Sequence, residues 1–386
     1  MNRGLHRRPL LFLGFLGMAC FWSYPEPALA GAGQANPGRD LAFSEAASGW
    51  RLLKTGDAAG AAQAFSRAIE LVPGESSYYV GLGTAYVKLL KEDEAERVFL
   101  RAVELDPNAT RAHALLGDLS ARKGDWEQAI RHYRIAIRQD PNDVTLEESL
   151  RKAQQHHAAE AGFDRLFATH FIVKFHGGND RELARNVADR MEVIYQEIGQ
   201  SFGHFPAKTT TVVVYPDRRL PETGIGPEWA GGLYDGTLRF SGDDLRRSRL
   251  EAERSLRHEY THAVVDELAG GHAPAWLNEG LAQVFDGRQP PGPDRRRTGD
   301  PDTMTRLHLL HGSFVGLTRE TAEQAYADSY TATKALIARY GMERVRALLV
   351  ALVDHPDFSR TFELVLHERY RDFEAVWMGT QTGRRF

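Results

Sequence analysis

The chain has 386 residues, more than one comfortable hydrophobic core accommodates, so two domains are expected. Its 42% hydrophobic and 26% charged residues are those of globular protein and exclude wholesale disorder. A net charge of -4 excludes nucleic acid as a partner recruited by bulk charge, because DNA or RNA binding needs a concentrated basic face.

Residues 1–30 read as a secretory signal. Arg3, Arg7 and Arg8 give a positive start, and Leu10 to Trp22 is an apolar run too short to span a bilayer comfortably. Ala28-Leu29-Ala30 supplies the small residues of a cleavage site. The expected product is exported, periplasmic or secreted, with no transmembrane segment in the mature chain. Cleavage removes Cys20, the single cysteine, so disulfides have no part in the mature fold. A second reading keeps Cys20 for lipidation after Gly17-Met18-Ala19, although Gly17 stands where lipoprotein signals usually carry Leu. The Arg7-Arg8 pair hints at twin-arginine export, but Pro9-Leu10-Leu11 matches it poorly.

An internal repeat follows. Pro73, Pro107 and Pro141 are spaced by 34 residues, and so are Ala68, Ala102 and Ala136, Phe65, Phe99 and Tyr133, and Gly49, Gly83 and Gly117. Two amphipathic helices per unit are expected. The Gly and Ala positions mark close helix approach, the aromatic fills the gap, and the proline ends each second helix. The pattern resembles three tetratricopeptide repeats over residues 41–142, with a polar capping helix and linker over 143–162. Such stacks present a concave surface to a peptide or protein, and the competing expectation is a spacer or dimerisation scaffold.

After Gly162 the pattern changes. Phe171 to Phe175 and Thr209 to Tyr215 read as strands, with a helix over Asp180 to Phe202 between them. Leu233 to Phe240 reads as a hairpin or edge strand around Asp235-Gly236. Asp243 to Arg257 is charge-dense but mixed in sign, a solvated helix face. From Leu245 onward nearly everything reads helical, and the tail divides into Tyr330 to Tyr340, Glu343 to Val353 and Phe358 to Trp377. Residues 163–386 are therefore expected to form an α+β domain.

His258-Glu259-Tyr260-Thr261-His262 is an H-E-x-x-H sequence inside a helical pattern over Leu250 to Leu268. Residues four apart share a helix face, so both imidazoles can reach one metal ion, with Glu259 beside them to take a proton from water. A catalytic zinc site needs a third ligand and an open fourth position. Glu279, 17 residues beyond His262 and early in a helix opened by Pro274, is the favoured third ligand. Asp266 lies one turn past His262 and suits a supporting acceptor for an imidazole N–H better than a ligand. His272, in a Gly-rich turn, fails metzincin spacing. The bland alternative for the two histidines is a solvated helix pair.

The run from His258 to Asp266 resembles the active-site helix of thermolysin-like peptidases. Trp276-Leu277-Asn278-Glu279-Gly280-Leu281-Ala282 resembles the third-ligand helix of gluzincin aminopeptidases. The nearest likeness is to bacterial peptidase-MA-like proteins, in which tetratricopeptide repeats precede a small gluzincin domain. That likeness implies an N-terminal all-α repeat solenoid followed by an α+β, thermolysin-like metallopeptidase domain. It also implies one Zn2+ per chain on His258, His262 and Glu279, with Glu259 as general base. No Gly-x-Met-Glu-Asn segment is present to hold a substrate amino terminus, and Gly231-Gly232-Leu233-Tyr234 lacks its acidic anchor, so an endopeptidase is favoured over an aminopeptidase. Tyr326 in Ala325-Tyr326-Ala327-Asp328-Ser329-Tyr330 resembles the transition-state tyrosine of these relatives, with Tyr330 as its substitute.

The expected function is zinc-dependent hydrolysis of a protein or peptide, with a possible second partner on the repeats and no nucleic acid. The alternative is a cell-envelope interaction scaffold whose metallohydrolase domain is vestigial or non-proteolytic. Hydrolysis of a non-peptide bond is compatible with the same residues.

Overall fold

A computed structural model describes residues 37–178, 180–216, 232–287, 306–314 and 317–381. The signal segment with Cys20, and Gly231, lie outside the described residues.

The first third is a helical array. Helices α1 (Pro37–Thr55) and α2 (Ala58–Leu71), α3 (Ser76–Lys88) and α4 (Glu92–Leu105), and α5 (Thr110–Arg122) and α6 (Trp126–Gln139) form three helical hairpins. A seventh helix, α7 (Val144–Ala159), packs on α6. The 34-residue period is a packing rule. Gly49 faces Phe65, Gly83 faces Phe99 and Gly117 faces Tyr133, and a Cβ at Gly49 or Gly117 would stand 2.8 or 2.6 Å from the ring. Only glycine lets each first helix come down on the aromatic of its partner. Ala68, Ala102 and Ala136, one turn after each ring, are fully buried. Each second helix stops two residues before Pro73, Pro107 or Pro141. Asp57 and Asp125 begin α2 and α6 by accepting from the amides of Gly60 and Gln128 at 2.7 and 3.2 Å.

The chain then enters a mixed sheet of β1 (Phe163–Phe167), β2 (Phe171–His176), β3 (Thr210–Tyr215), β4 (Gly232–Tyr234) and β5 (Leu238–Ser241). The spatial order is β1-β2-β3-β5-β4. The three central strands are parallel, and β1 and β4 close the two edges antiparallel. Helix α8 (Asp180–Phe202) supplies the crossover from β2 to β3, as a parallel pair requires. Side chains alternate across the sheet. Phe171, Val173, Phe175, Val212, Val214, Leu238 and Phe240 join a core with α8 and α10 (Arg249–Ala269). The alternate positions Lys174, Tyr215 and Arg239 meet the end of the helical array instead. Lys174 Nζ donates to the Gly124 carbonyl at 2.7 Å and to Glu160 Oε2 at 3.0 Å. Arg239 Nη1 donates to Glu160 Oε1 at 3.1 Å and to the Tyr215 hydroxyl at 2.9 Å. The array thus covers the face of the sheet that α8 and α10 leave open.

A short α9 (Gly242–Arg247) leads into α10, and α11 (Ala275–Asp286), α12 (Arg319–Asp354), α13 (Phe358–Leu366) and α14 (Tyr370–Gln381) complete the chain. Three expectations need correction. The edge strand β1 is absent from the sequence reading, because its residues are exposed or half-buried and carry no hydrophobic alternation. The first tail helix begins at Arg319 rather than Tyr330, and the division expected before Glu343 falls at Gly341, whose backbone (φ 77°, ψ 157°) breaks α12 in two. The last expected helix is instead two, divided by His367 in the left-handed conformation. Among the described residues no helix is long and apolar enough to cross a membrane.

Two imidazoles of the array are held neutral. His156, stacked on Trp126 at 4.4 Å between centroids, is pulled down to about 3 by burial and then by Arg239. His132 is pulled down to about 4 by burial and its neighbour His113. The unfolded chain binds protons near pH 6.5 that these rings refuse, so their contribution is whole above that pH and is lost as pH falls toward the folded values. Asp118, pushed up to about 6 by burial, acts oppositely and loses stability as pH rises through the range from its ordinary value to 6. His156→Phe keeps the stack without the titration. Its guanidinium midpoint is expected to fall less than that of wild type between pH 6.5 and 5, by about 2 kcal/mol of unfolding free energy.

Candidate metal centre

Helix α10 starts at Ser248, whose hydroxyl accepts from the Glu251 amide at 3.3 Å, and stops at Gly270, left-handed at φ 61°. Gly271 is also left-handed, and the two glycines turn the chain back so that α11, opened by Pro274, runs beside α10. His258 and His262 are one turn apart on α10, and Glu279 lies in the second turn of α11. Gly280 permits the third approach. A Cβ there would overlap the Thr333 side chain and the Ser329 carbonyl, so α12 lies directly on α11.

These helices bring together one donor atom each from His258, His262 and Glu279, all within 4.8 Å of one another. Glu279 Oε2 stands 3.6 Å from His258 Nε2 and 3.8 Å from His262 Nε2. Those spacings exceed hydrogen bonds, and donors about 2.0–2.1 Å from a shared tetrahedral ion would stand about 3.4 Å apart. The Oε2 atom is buried with no hydrogen-bond partner, a costly arrangement unless a cation completes it. The far side of each ring is fixed. His258 Nδ1 lies 3.0 Å from Asp286 Oδ2, and His262 Nδ1 lies 2.9 Å from Asn278 Oδ1. With each Nδ1 turned outward to its acceptor, both Nε2 atoms face Glu279. Burial opposes charge on His258, yet Asp286, Glu279 and the field of Glu259 push its imidazole up to about 10. The cluster holds an excess of negative field that a divalent cation would neutralise. The residues present fit a metal ion.

Glu259 is 8% exposed and packs beside the sheet edge. Its Cγ would stand 2.7 Å from a Cβ at Gly232, so β4 rests directly against it. Tyr326 lies in the field of both carboxylates: burial first, then Glu279 and Glu259, raises its phenol above the ordinary range. Its ring meets Phe314 edge-on at 5.3 Å. Tyr330 lies under Lys334, whose Nζ is 5.3 Å from the ring centroid. Tyr326 sits in the second turn of α12, not at a helix start.

Asp266 does not support an imidazole. It accepts from the Tyr234 hydroxyl at 3.3 Å and is pushed up to about 6 by burial. His272 lies apart from the cluster, pulled below its ordinary value by burial and by Lys88 of the array. The residues missed by sequence reasoning are Asn278 and Asp286. Both had a signal: Asn278 adjoins Glu279, and Asp286 follows Glu279 by seven residues, two turns along the same face.

The sequence profile of the tetratricopeptide repeat family matches residues 47–109 and 80–144. The chain carries tetratricopeptide repeats. No curated protein matches it. Solved structures similar to it include the first tetratricopeptide domain of Spaghetti (RPAP3) bound to the HSP90 peptide SRMEEVD. That domain is 23% identical, covers 31% of this chain and 98% of its own, and superposes with a TM-score of 0.31. The second tetratricopeptide domain of human RPAP3 in complex with the HSP70 peptide SGPTIEEVD is also 23% identical. It covers 30% of this chain and 98% of its own, with a TM-score of 0.29.

If Asp286 and Asn278 set the ring orientations, Asp286→Ala and Asn278→Ala will each weaken metal affinity about 10–100-fold while leaving one site per chain. Competition titration against a chromophoric chelator measures both quantities. Wild-type affinity in both variants would show that the rings are oriented by something else.

Proposed function

We propose that the protein is a zinc-dependent hydrolase of peptide bonds, with His258, His262 and Glu279 as metal ligands and Glu259 as general base. The observation that carries this reading is the buried Glu279 Oε2, without a hydrogen bond and 3.6 and 3.8 Å from two outward-anchored imidazoles. Zinc bound there would supply Lewis acidity, lowering the pKa of water and polarising a carbonyl. Glu259 takes the proton of the attacking water and passes it to the leaving nitrogen. The Tyr326 hydroxyl, in the field of both carboxylates and kept protonated by burial, donates to the oxyanion that develops. Lys, Arg or a second metal is not needed for any of these transfers.

The substrate class rests on the gluzincin likeness of the H-E-x-x-H helix and the Trp276–Ala282 segment. Endopeptidase action is favoured because β4, beside Glu259, brings no acidic side chain to hold a free amino terminus. Export to the periplasm or medium, by the N-terminal signal segment, belongs to the same reading.

A second reading is a cell-envelope interaction scaffold in which the repeats bind a peptide and the metal domain is vestigial or non-proteolytic. It is favoured by the sequence comparison, whose family match lies within the repeats. Elemental analysis and one substitution separate the two. Purified protein is expected to carry one zinc, lost in His262→Ala and Glu279→Ala. Glu259→Gln is expected to keep the zinc and lose cleavage of an unstructured protein such as casein by at least about 10²-fold. Zinc absent from wild type removes the hydrolase reading, and zinc present without Glu259-dependent cleavage moves the weight to the scaffold.

A further inference from the structure

The sheet has two faces, and only one is covered by its own domain. The other presents Lys174 from β2, Tyr215 from β3 and Arg239 from β5. Neither cation is solvated: Lys174 is 7% exposed and Arg239 is 0% exposed. Their partners come from the repeat array. Glu160, the residue after α7, accepts from both, and the Gly124 carbonyl between α5 and α6 accepts from Lys174. The Arg239 guanidinium also stacks over Trp126, the first residue of α6, at 5.4 Å. A charge this deep in the interior is tolerated only while its partners are in place.

The same contact grips the β4–β5 turn. Arg239 Nε holds Asp235 at 3.0 Å, and a Cβ on Gly236 would meet the Arg122 backbone at 3.6 Å. Strand β4 leaves that turn and runs antiparallel to β5 as far as Gly232, against Glu259. Tyr234 of the same strand bonds Asp266 on α10. A continuous chain of contacts therefore runs from the third repeat through Arg239 and the turn to Glu259.

We propose that the third repeat and its capping helix form the second wall of the sheet and hold β4 against Glu259, making the array a control element of the metal site rather than a tethered recruiting arm. Arg239 and Glu160 are positioning residues in this scheme, and a partner that flexes the third repeat would change the setting of β4. Only the last link, Glu259 at a metal, rests on the hydrolase reading.

Hydrogen exchange on the full chain without metal tests the mechanical part. Glu160→Gln removes the shared acceptor charge and is expected to raise amide exchange of residues 232–241 by at least about tenfold, with α8 unchanged. Glu160→Asp keeps the charge and is expected to restore most of the protection. If Glu160→Gln does not fold, the wild-type chain decides: array and sheet should lose protection together in rising guanidinium. Two separate transitions, or unchanged exchange at 232–241 in a folded variant, would overturn the proposal. Cobalt(II) titration then reads the last link. Glu160→Gln is expected to bind one cobalt per chain with an altered visible spectrum, and an unaltered spectrum would disconnect the array from the site. Cobalt failing to bind wild type would sink the metal reading and leave the exchange result standing.

Discussion

A buried guanidinium organises this molecule. Arg239 occupies a central strand where the side-chain alternation of the sheet turns it away from the apolar core, and it is fully shielded from water. An arginine cannot escape burial by losing its proton, so its neighbours must supply acceptors. Asp235 comes from its own hairpin, Tyr215 from the adjacent strand, and Glu160 from the far end of the helical array. Because Glu160 also serves Lys174, one carboxylate joins two strands to the capping helix. The relative placement of array and sheet follows from satisfying these charges.

On the opposite face the logic is steric. The strands, α8 and α10 share a continuous apolar core, and the helices after α10 are stacked by close backbone approach. Gly280 allows α12 to lie on α11, which carries Glu279. The left-handed pair Gly270-Gly271 returns the chain after α10 so that Glu279 comes back over the histidines. The polar cluster is thus brought together by apolar packing and glycine geometry, and its rings are oriented by Asp286 and Asn278. The three donor atoms are thereby gathered within 4.8 Å of one another.

The helical array is built by a different rule. Each glycine-aromatic pair is local, joining residues 16 apart within one repeat, and the rule is applied three times. Local, repeated packing of this kind produces a stack whose ends are its only special positions. At one end Trp126, Gly124 and Glu160 are drawn into the sheet contact, and the second repeat adds Glu92, which accepts from Lys208 at 3.2 Å.

Patterns confined to one element were legible in the sequence. The 34-residue step predicted the helical hairpins, the apolar spacing of Leu183, Val187, Met191, Ile194 and Ile198 predicted α8, and the β-branched run ending at Tyr215 predicted β3. The approach of His258, His262 and Glu279 was also readable, since helical periodicity and a returning second helix leave few other arrangements. What the sequence could not decide depends on partners distant along the chain. Strand β1 exists by pairing with β2, since its own residues lack the signature of a strand. Asp266 and Asp286 look alike as acids near the motif, and only the crossing of α10 and α11 gives the imidazole to Asp286 and the tyrosine to Asp266. Sequence places Arg239 only in a hairpin or edge strand, where alternation with Leu238 and Phe240 turns it away from their face. That its outward face is interior follows from the array docking there, a contact between residues 79 apart that no local periodicity encodes.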